Sequence, residues 1–323
     1  MSFIEVKDLK VHYPIRGGFF NKIIDYVYAV DGVSFTIEKG KTYGLVGESG
    51  SGKSTIGKAI IGLEKIKSGK IIYEGREIDR KFRNRRSEYN RNVQMIFQDS
   101  LSSLNPKKRV IDLISEPLRN FENLTLDEEK RKVSELLEIV GMNREDIFKY
   151  PHEFSGGQRQ RLGIARAVAT KPKLIIADEP VSALDLSVQA QVLNYMKDIQ
   201  EQFGLSYLFI SHDLGVVKHM CDYMFIMYRG RFVETGTKND IYKNPEHFYT
   251  KRLIAAIPEI HPEKRAENKR RRLKIEKEYL ANEKKYYDEN GRVFDLKKLT
   301  DTHFVAFKDK NLRNNGNSEK GGK

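Results

Sequence analysis

The sequence has one cysteine, no tryptophan and no long apolar run in its 323 residues. A lone Cys221 excludes an internal disulfide and any all-cysteine metal or cluster site, and it fits a reducing compartment. Apolar stretches such as 174–177 and 253–257 fall far short of the ~20 residues that a membrane-crossing helix needs. The opening MSFIEVKDLK brings in acidic residues before any apolar stretch develops, so no secretory signal is expected there. Charge is abundant: 58 Lys and Arg against 45 Asp and Glu give a net +13. Residues 262–323 carry +7 of it and the preceding 261 residues only +6. That balance leaves nucleic acid and an anionic membrane face open as partners.

Short β-rich runs alternate with helical patterns in the first part of the chain, and no solenoid-period repeat is present. Residues 3–11 and 29–37 alternate as strands, whereas 42–46, 93–97, 174–177, 206–210 and 223–227 are apolar without alternation. Unalternating runs suit a parallel sheet covered on both faces. A helical stretch is expected at 53–63. Between about 99 and 169 the pattern turns mostly helical, with a capping box Thr125-x-x-Glu128 and Ser155 as the cap of a helix running through Ala169. Prolines and then a charge run near 258–262 mark a boundary.

Two motifs carry chemistry. Gly47, Glu48, Ser49, Gly50, Ser51, Gly52, Lys53 and Ser54, followed by Thr55, match G-x-x-x-x-G-K-[ST] between an expected strand and an expected helix. The glycines let backbone N–H groups curl around phosphate oxygens, and the helix N-terminus adds a positive field. Lys53 supplies a point charge and Ser54 a hydroxyl for Mg²⁺. Downstream, the strand 174–177 runs into Asp178-Glu179-Pro180. In open α/β sheets ligands bind at the carboxyl ends of strands. Asp178 is the expected Mg²⁺ carboxylate and Glu179 the expected base for an attacking water.

With these motifs the chain resembles the ATP-binding cassette of ABC transporters. Phe154-Ser155-Gly156-Gly157-Gln158 is similar to the family signature and Phe97-Gln98-Asp99 to its glutamine loop. Ser182-Ala183-Leu184-Asp185 resembles the loop after the carboxylates, and Ser211-His212-Asp213 the switch histidine. Residues 150–161 and 244–250 resemble the oligopeptide/dipeptide importer branch, and FSGGQRQR is more similar to the second, F-type, of its two paired ATPases.

The resemblance implies an α/β P-loop NTPase cassette over residues 1–257. It would have a RecA-like core, an antiparallel β subdomain and a helical signature subdomain. A small basic extension, 258–323, would be partly folded to about 307 and disordered beyond. Two cassettes would meet head to tail, so that ATP lies between the Gly47–Thr55 loop of one and Ser155, Gly156, Gly157 and Gln158 of the other. His212 would contact the γ-phosphate, Asp185 would communicate across the dimer, and Gln98 would link Mg²⁺ or the water to the membrane side. Tyr13 stands where the family stacks an aromatic on adenine, with Tyr26 and Tyr28 as rivals.

The implied partners are a distinct companion ATPase, two transmembrane permeases and an extracytoplasmic binding protein, at the cytoplasmic face of the membrane, with no nucleic acid. The cargo would be oligopeptides or dipeptides. The alternatives are a soluble cassette ATPase acting on nucleic acid or ribosomes, an importer of another solute such as a nickel chelate, and a module that holds ATP without hydrolysing it. His12, His152, His219, His247, His261 and His303 are expected to be structural or surface, and Cys221 to be packing. The cationic run 269–272 reads either as a solvated helix face or as a contact for anionic lipid or the partner ATPase. Ile275, Tyr279, Tyr286 and Tyr287 fall at near-helical spacing, so part of the extension is expected to pack.

Overall fold

A computed structural model describes residues 2–78, 83–99, 103–257, 265–282 and 285–308. The boundary expected near 258–262, His261 and the residues beyond 308, part of the end expected to be disordered past about 307, lie outside the described residues. Two sheets organise the fold. The first is antiparallel, in the order β2 (Lys22–Glu38), β1 (Ser2–Gly17), β4 (Ser68–Tyr73), β5 (Arg76–Glu77). The second has a parallel block of β9 (Tyr223–Tyr228), β3 (Thr42–Val46), β8 (Ser206–Ser211), β7 (Leu174–Asp178) and β6 (Val93–Ile96). Antiparallel β10 (Arg231–Thr237), β12 (Phe304–Ala306) and β11 (Leu296–Lys298) extend its edge.

The unalternating strands have a direct cause. Leu45, Ile176, Leu208 and Ile210 face one hydrophobic core, shared with Phe3, Val30 and Phe35 of the antiparallel sheet. Val46, Ile175, Ala177, Tyr207 and Phe209 face a second core built with the helices. Side chains two apart share a face, so a strand buried on both faces is apolar at most positions on either face.

The first hairpin runs further than its alternation predicts, to Gly17 and from Lys22. Strand β4 leaves β1 at Lys10, so the outer ribbon pairs only with itself and is exposed on both faces. Exposure on both faces removes the alternation that marks a half-buried strand.

The helix after the glycine loop, α1, spans Lys53–Ile60 rather than 53–63. Gly62 enters the left-handed region (φ 83°), which ends it. A helical layer follows: α2 (Arg83–Asn92), α3 (Val110–Arg119), α4 (Leu126–Ile139) and α5 (Gly156–Val168). The expected capping box forms at Thr125–Glu128, and the expected cap Ser155 forms a second box with Gln158. The layer packs through Leu113, Ile114, Val133, Leu137, Phe154 and Leu162. Helices α6 (Leu186–Phe203) and α7 (Leu214–Met220) cover the sheet.

Past β10 come α8 (Lys238–Lys243), α9 (Phe248–Ala255) and α10 (Arg265–Asn282). Strand β12 pairs with β10 (Glu234↔Val305), and Tyr279, Tyr287, Val293 and Ala306 join the second core. Glu234 is fully buried and accepts the N–H groups of Glu246 and His247 and the His303 ring, 2.7 Å from Nε2. His247 is also fully buried, which pushes its imidazole pKa down to about 3. Arg272, in the cationic run, donates to the carbonyls of Ala255, Ala256 and Ile257 at the end of α9. A guanidinium suits the orphan carbonyls and negative pole of a helix C-terminus. No helix among the described residues is long and apolar enough to cross a membrane.

Candidate nucleotide-binding site

The phosphate loop leaves the fully buried β3 and enters α1 between two strands that press on it. A Cβ at Gly47 would lie 2.2 Å from the Met227 carbonyl oxygen of β9. At Gly52, where φ is +105°, it would lie 2.0 Å from the Ala29 carbonyl oxygen of β2. Only glycine fits either place. No side chain caps α1, so its first-turn N–H groups point from a helix N-terminus into the cleft. Lys53 Nζ donates to the carbonyls of Gly47 (2.8 Å) and Glu48 (2.8 Å). Burial lowers the Lys53 pKa, opposed by the charges of Glu179, Asp178 and Glu48.

Across the cleft, β7 ends in the two carboxylates. Ser54 Oγ donates to Asp178 Oδ1 at 2.8 Å, and burial raises the Asp178 pKa against that hydrogen bond. Glu179 adopts a left-handed backbone (φ 46°) and donates its N–H to the Ile210 carbonyl at 2.9 Å. Such a conformation costs a non-glycine residue of order 1–3 kcal/mol and is characteristic of functional sites. Gln98 Nε2 donates to Glu179 Oε2 (2.9 Å), and His212 Nδ1 lies 3.1 Å from Oε1. Glu48, Ser49, Gly50, Gly52, Lys53, Ser54, Thr55, Gln98, Glu179 and His212 line one cleft of about 590 Å³, with Ala29 and Leu253.

The oxygen pair of Ser54 and Asp178 fits Mg²⁺, a hard cation usually held by one or two carboxylates, waters and substrate phosphates. Among the described residues no group of three His, Cys, Asp or Glu side chains forms a self-sufficient metal cage. The site suits an ion that arrives with a nucleotide.

Tyr13 pairs with Val27 on the hairpin, and its hydroxyl lies with Glu64 and Thr55 beside α1. Of its rivals, Tyr28 packs edge-on against His12 (4.6 Å) and Tyr26 lies under the Lys67 ammonium (5.9 Å). Ser155, Gly156, Gly157 and Gln158 do not line the cleft. They form an exposed helix start, where Ser155 Oγ accepts the Gln158 N–H and Gln158 Oε1 accepts the Ser155 N–H. Asp185 caps α6 through the Val188 N–H (3.0 Å) and accepts from Ser187 Oγ (2.7 Å), which lowers its pKa.

Three contributors escape sequence reasoning: Ala29 behind the loop, and Tyr249 and Arg252 on Glu48. Nothing local in the sequence signals these pairings, because each partner is distant along the chain.

Residues 30–182 match the family model for the ABC transporter, and residues 233–289 that for the oligopeptide/dipeptide transporter C-terminal region. The chain is 57% identical to the oligopeptide transport ATP-binding protein OppF of Lactococcus lactis subsp. lactis (strain IL1403), over 94% of this chain and 96% of that one. It belongs to the ATP-binding subunits of oligopeptide/dipeptide ABC transporters. Identity to the oligopeptide transport ATP-binding protein AppF of Bacillus subtilis (strain 168) is 48%, over 86% of this chain and 84% of that one. For the dipeptide transport ATP-binding protein DppF of Escherichia coli (strain K12) it is 46%, over 82% and 79%. A dimeric post-hydrolysis state of the ATP-binding cassette MJ0796, bound to ADP and Pi, shares the fold. Its TM-score is 0.65 at 24% identity, covering 73% of this chain and 98% of that one. As an ABC cassette the subunit is an ATPase.

Proposed function

We propose that this subunit hydrolyses ATP to drive the uptake of oligopeptides or dipeptides through separate permease subunits. It works at the cytoplasmic face of the membrane, with a distinct companion cassette and an extracytoplasmic binding protein. The geometry that carries the hydrolytic reading is the Glu179 carboxylate, held by Gln98 and His212 in the cleft that Lys53 and Ser54 also line, with Asp178 hydrogen-bonded behind Ser54. The cargo reading rests on the relatives, which are named for oligopeptide and dipeptide transport. Neither a nucleic-acid ATPase nor a nickel-chelate importer finds support among them.

The residues divide the work. Backbone N–H groups of residues 49–54 and the Lys53 ammonium hold the β- and γ-phosphates, and Tyr13 stacks on the adenine. Ser54 and Asp178 would hold Mg²⁺, which would supply charge neutralisation for the phosphates. Glu179 accepts a proton from the attacking water, Gln98 orients its carboxylate, and His212 bridges Glu179 and the γ-phosphate. Ser155, Gly156, Gly157 and Gln158 serve the companion's nucleotide, and a companion signature serves this one. Asp185, beside that junction, communicates between the two.

Glu179→Gln tests the base directly. Turnover in the assembled transporter falls ~10²–10⁴-fold while ATP binding is retained; preserved hydrolysis would remove the assignment. Uptake of labelled peptides by a deletion strain, restored by the wild-type chain and not by this variant, tests the cargo.

A further inference from the structure

Glu48, the second residue of the phosphate loop, is held twice by one helix. Its backbone N–H donates to the Tyr249 hydroxyl at 3.0 Å, and its carboxylate lies 3.6 Å from the Arg252 guanidinium. Both partners belong to α9, outside the motifs that bind nucleotide. The Glu48 carbonyl in turn accepts the Lys53 ammonium, so the orientation of this residue sets one of the two oxygens that hold the lysine.

Helix α9 is itself tied to the C-terminal extension. Tyr249 is fully buried with its ring 4.7 Å from Tyr228, which lies 5.3 Å from Tyr287. Arg252 reaches Glu276 of α10 at 3.0 Å and sits over the Tyr279 ring at 5.3 Å. Arg272 closes the far end of α9. A continuous set of contacts thus runs from the extension to the loop that holds Lys53.

We propose that Tyr249 and Arg252 are positioning residues for the phosphate loop, through which the C-terminal extension sets the affinity for ATP. The inference rests on the cleft being the ATP site. A loop orientated before nucleotide arrives spends less binding energy on ordering. Loss of this bracing therefore weakens ATP binding and leaves the hydrolytic groups in place.

The decisive variant is Tyr249→Phe, which keeps the ring and leaves the Glu48 N–H without its acceptor. Losing a buried hydrogen-bond partner costs enough to change an equilibrium about tenfold. The expected result is a KM for ATP raised ~5–10-fold in the assembled transporter, with kcat within about twofold. ATP titrated with Mg²⁺ onto the full chain should bind weaker by the same factor. Glu276→Gln, at a half-exposed site where folding is not at risk, should raise KM only ~2-fold, as partly solvated ion pairs are weak.

Tyr242→Phe is the control: that hydroxyl donates to the Leu214 carbonyl, away from the loop, so its loss lowers thermal stability without moving KM. If Tyr249→Phe behaves like Tyr242→Phe, with a lower Tm and an unchanged KM, the proposal is overturned. An unchanged KM in Glu276→Gln overturns the part assigned to the extension. Lys53→Ala checks the underlying reading separately, because ATP bound normally by that variant would mean the cleft is not the ATP site.

Discussion

The phosphate loop and the signature segment are both glycine-rich helix starts, yet they are held in opposite ways. The loop is squeezed between Ala29 and Met227, hydrogen-bonded to Tyr249, and carries a lysine buried against its own carbonyls. The signature is exposed and satisfied by its own capping box within four residues. A Cβ at Gly156 would meet nothing within 4 Å, whereas one at Gly52 would strike backbone. The phosphate loop is shaped by contacts with distant parts of its own chain. The signature is a finished local structure left facing outward.

Substitutions can break that contrast, and the largest effect is expected at Gly52→Ala. The added methyl meets the Ala29 carbonyl in a left-handed backbone, so the loop cannot keep its shape. Loss of ~3 kcal/mol or more of stability and of measurable ATP binding should follow, checked by urea unfolding and by titration with ATP. ATP bound with native affinity would show that the squeeze is not needed.

Ser155→Ala probes the other side. The isolated chain should lose only ~1 kcal/mol of stability from the missing cap and should bind ATP as before. The assembled pair should lose ~10–100-fold in turnover, the cost of a missing hydrogen bond to a charged phosphate. Equal activity in the assembly would remove the trans role.

The smallest expected effect is on pH dependence. Glu234 raises the pKa of His303 above its ordinary value, so the pair stabilises the fold fully below the unfolded imidazole pKa of about 6.5. That contribution is lost as pH rises through the higher folded-state value. Unfolding free energies of the wild type and His303→Gln should therefore converge from pH 6 to pH 9. Because this pair anchors the extension beside α9 rather than the signature helix, the same pH rise should weaken ATP binding and spare the Ser155 cap. A constant gap between the two proteins across that range would show that folding leaves the His303 pKa unchanged.

Much of this is legible in the sequence. The Thr125–Glu128 box and the Ser155 cap form as read, because a helix cap involves only residues within three positions of each other. The buried parallel strands were legible because two-faced burial leaves an unbroken apolar run. The hairpin between 12 and 28 was not, since a ribbon exposed on both faces carries no alternation. Arg272 read only as part of a cationic run, and nothing nearby in sequence showed that it closes another helix.

The sequence by itself determined the types of chemistry: a glycine loop with Lys53 and Ser54, a strand-end carboxylate pair and a signature cap, each encoded within a few consecutive residues. Only the tertiary structure decided which distant groups meet. It brought Gln98 and His212 onto Glu179, set Ala29 and Met227 against the glycines, and placed Tyr249 and Arg252 on Glu48. The reason is physical. Local motifs are specified by backbone hydrogen bonds between near neighbours, while these contacts depend on strand order and packing, which no short segment contains.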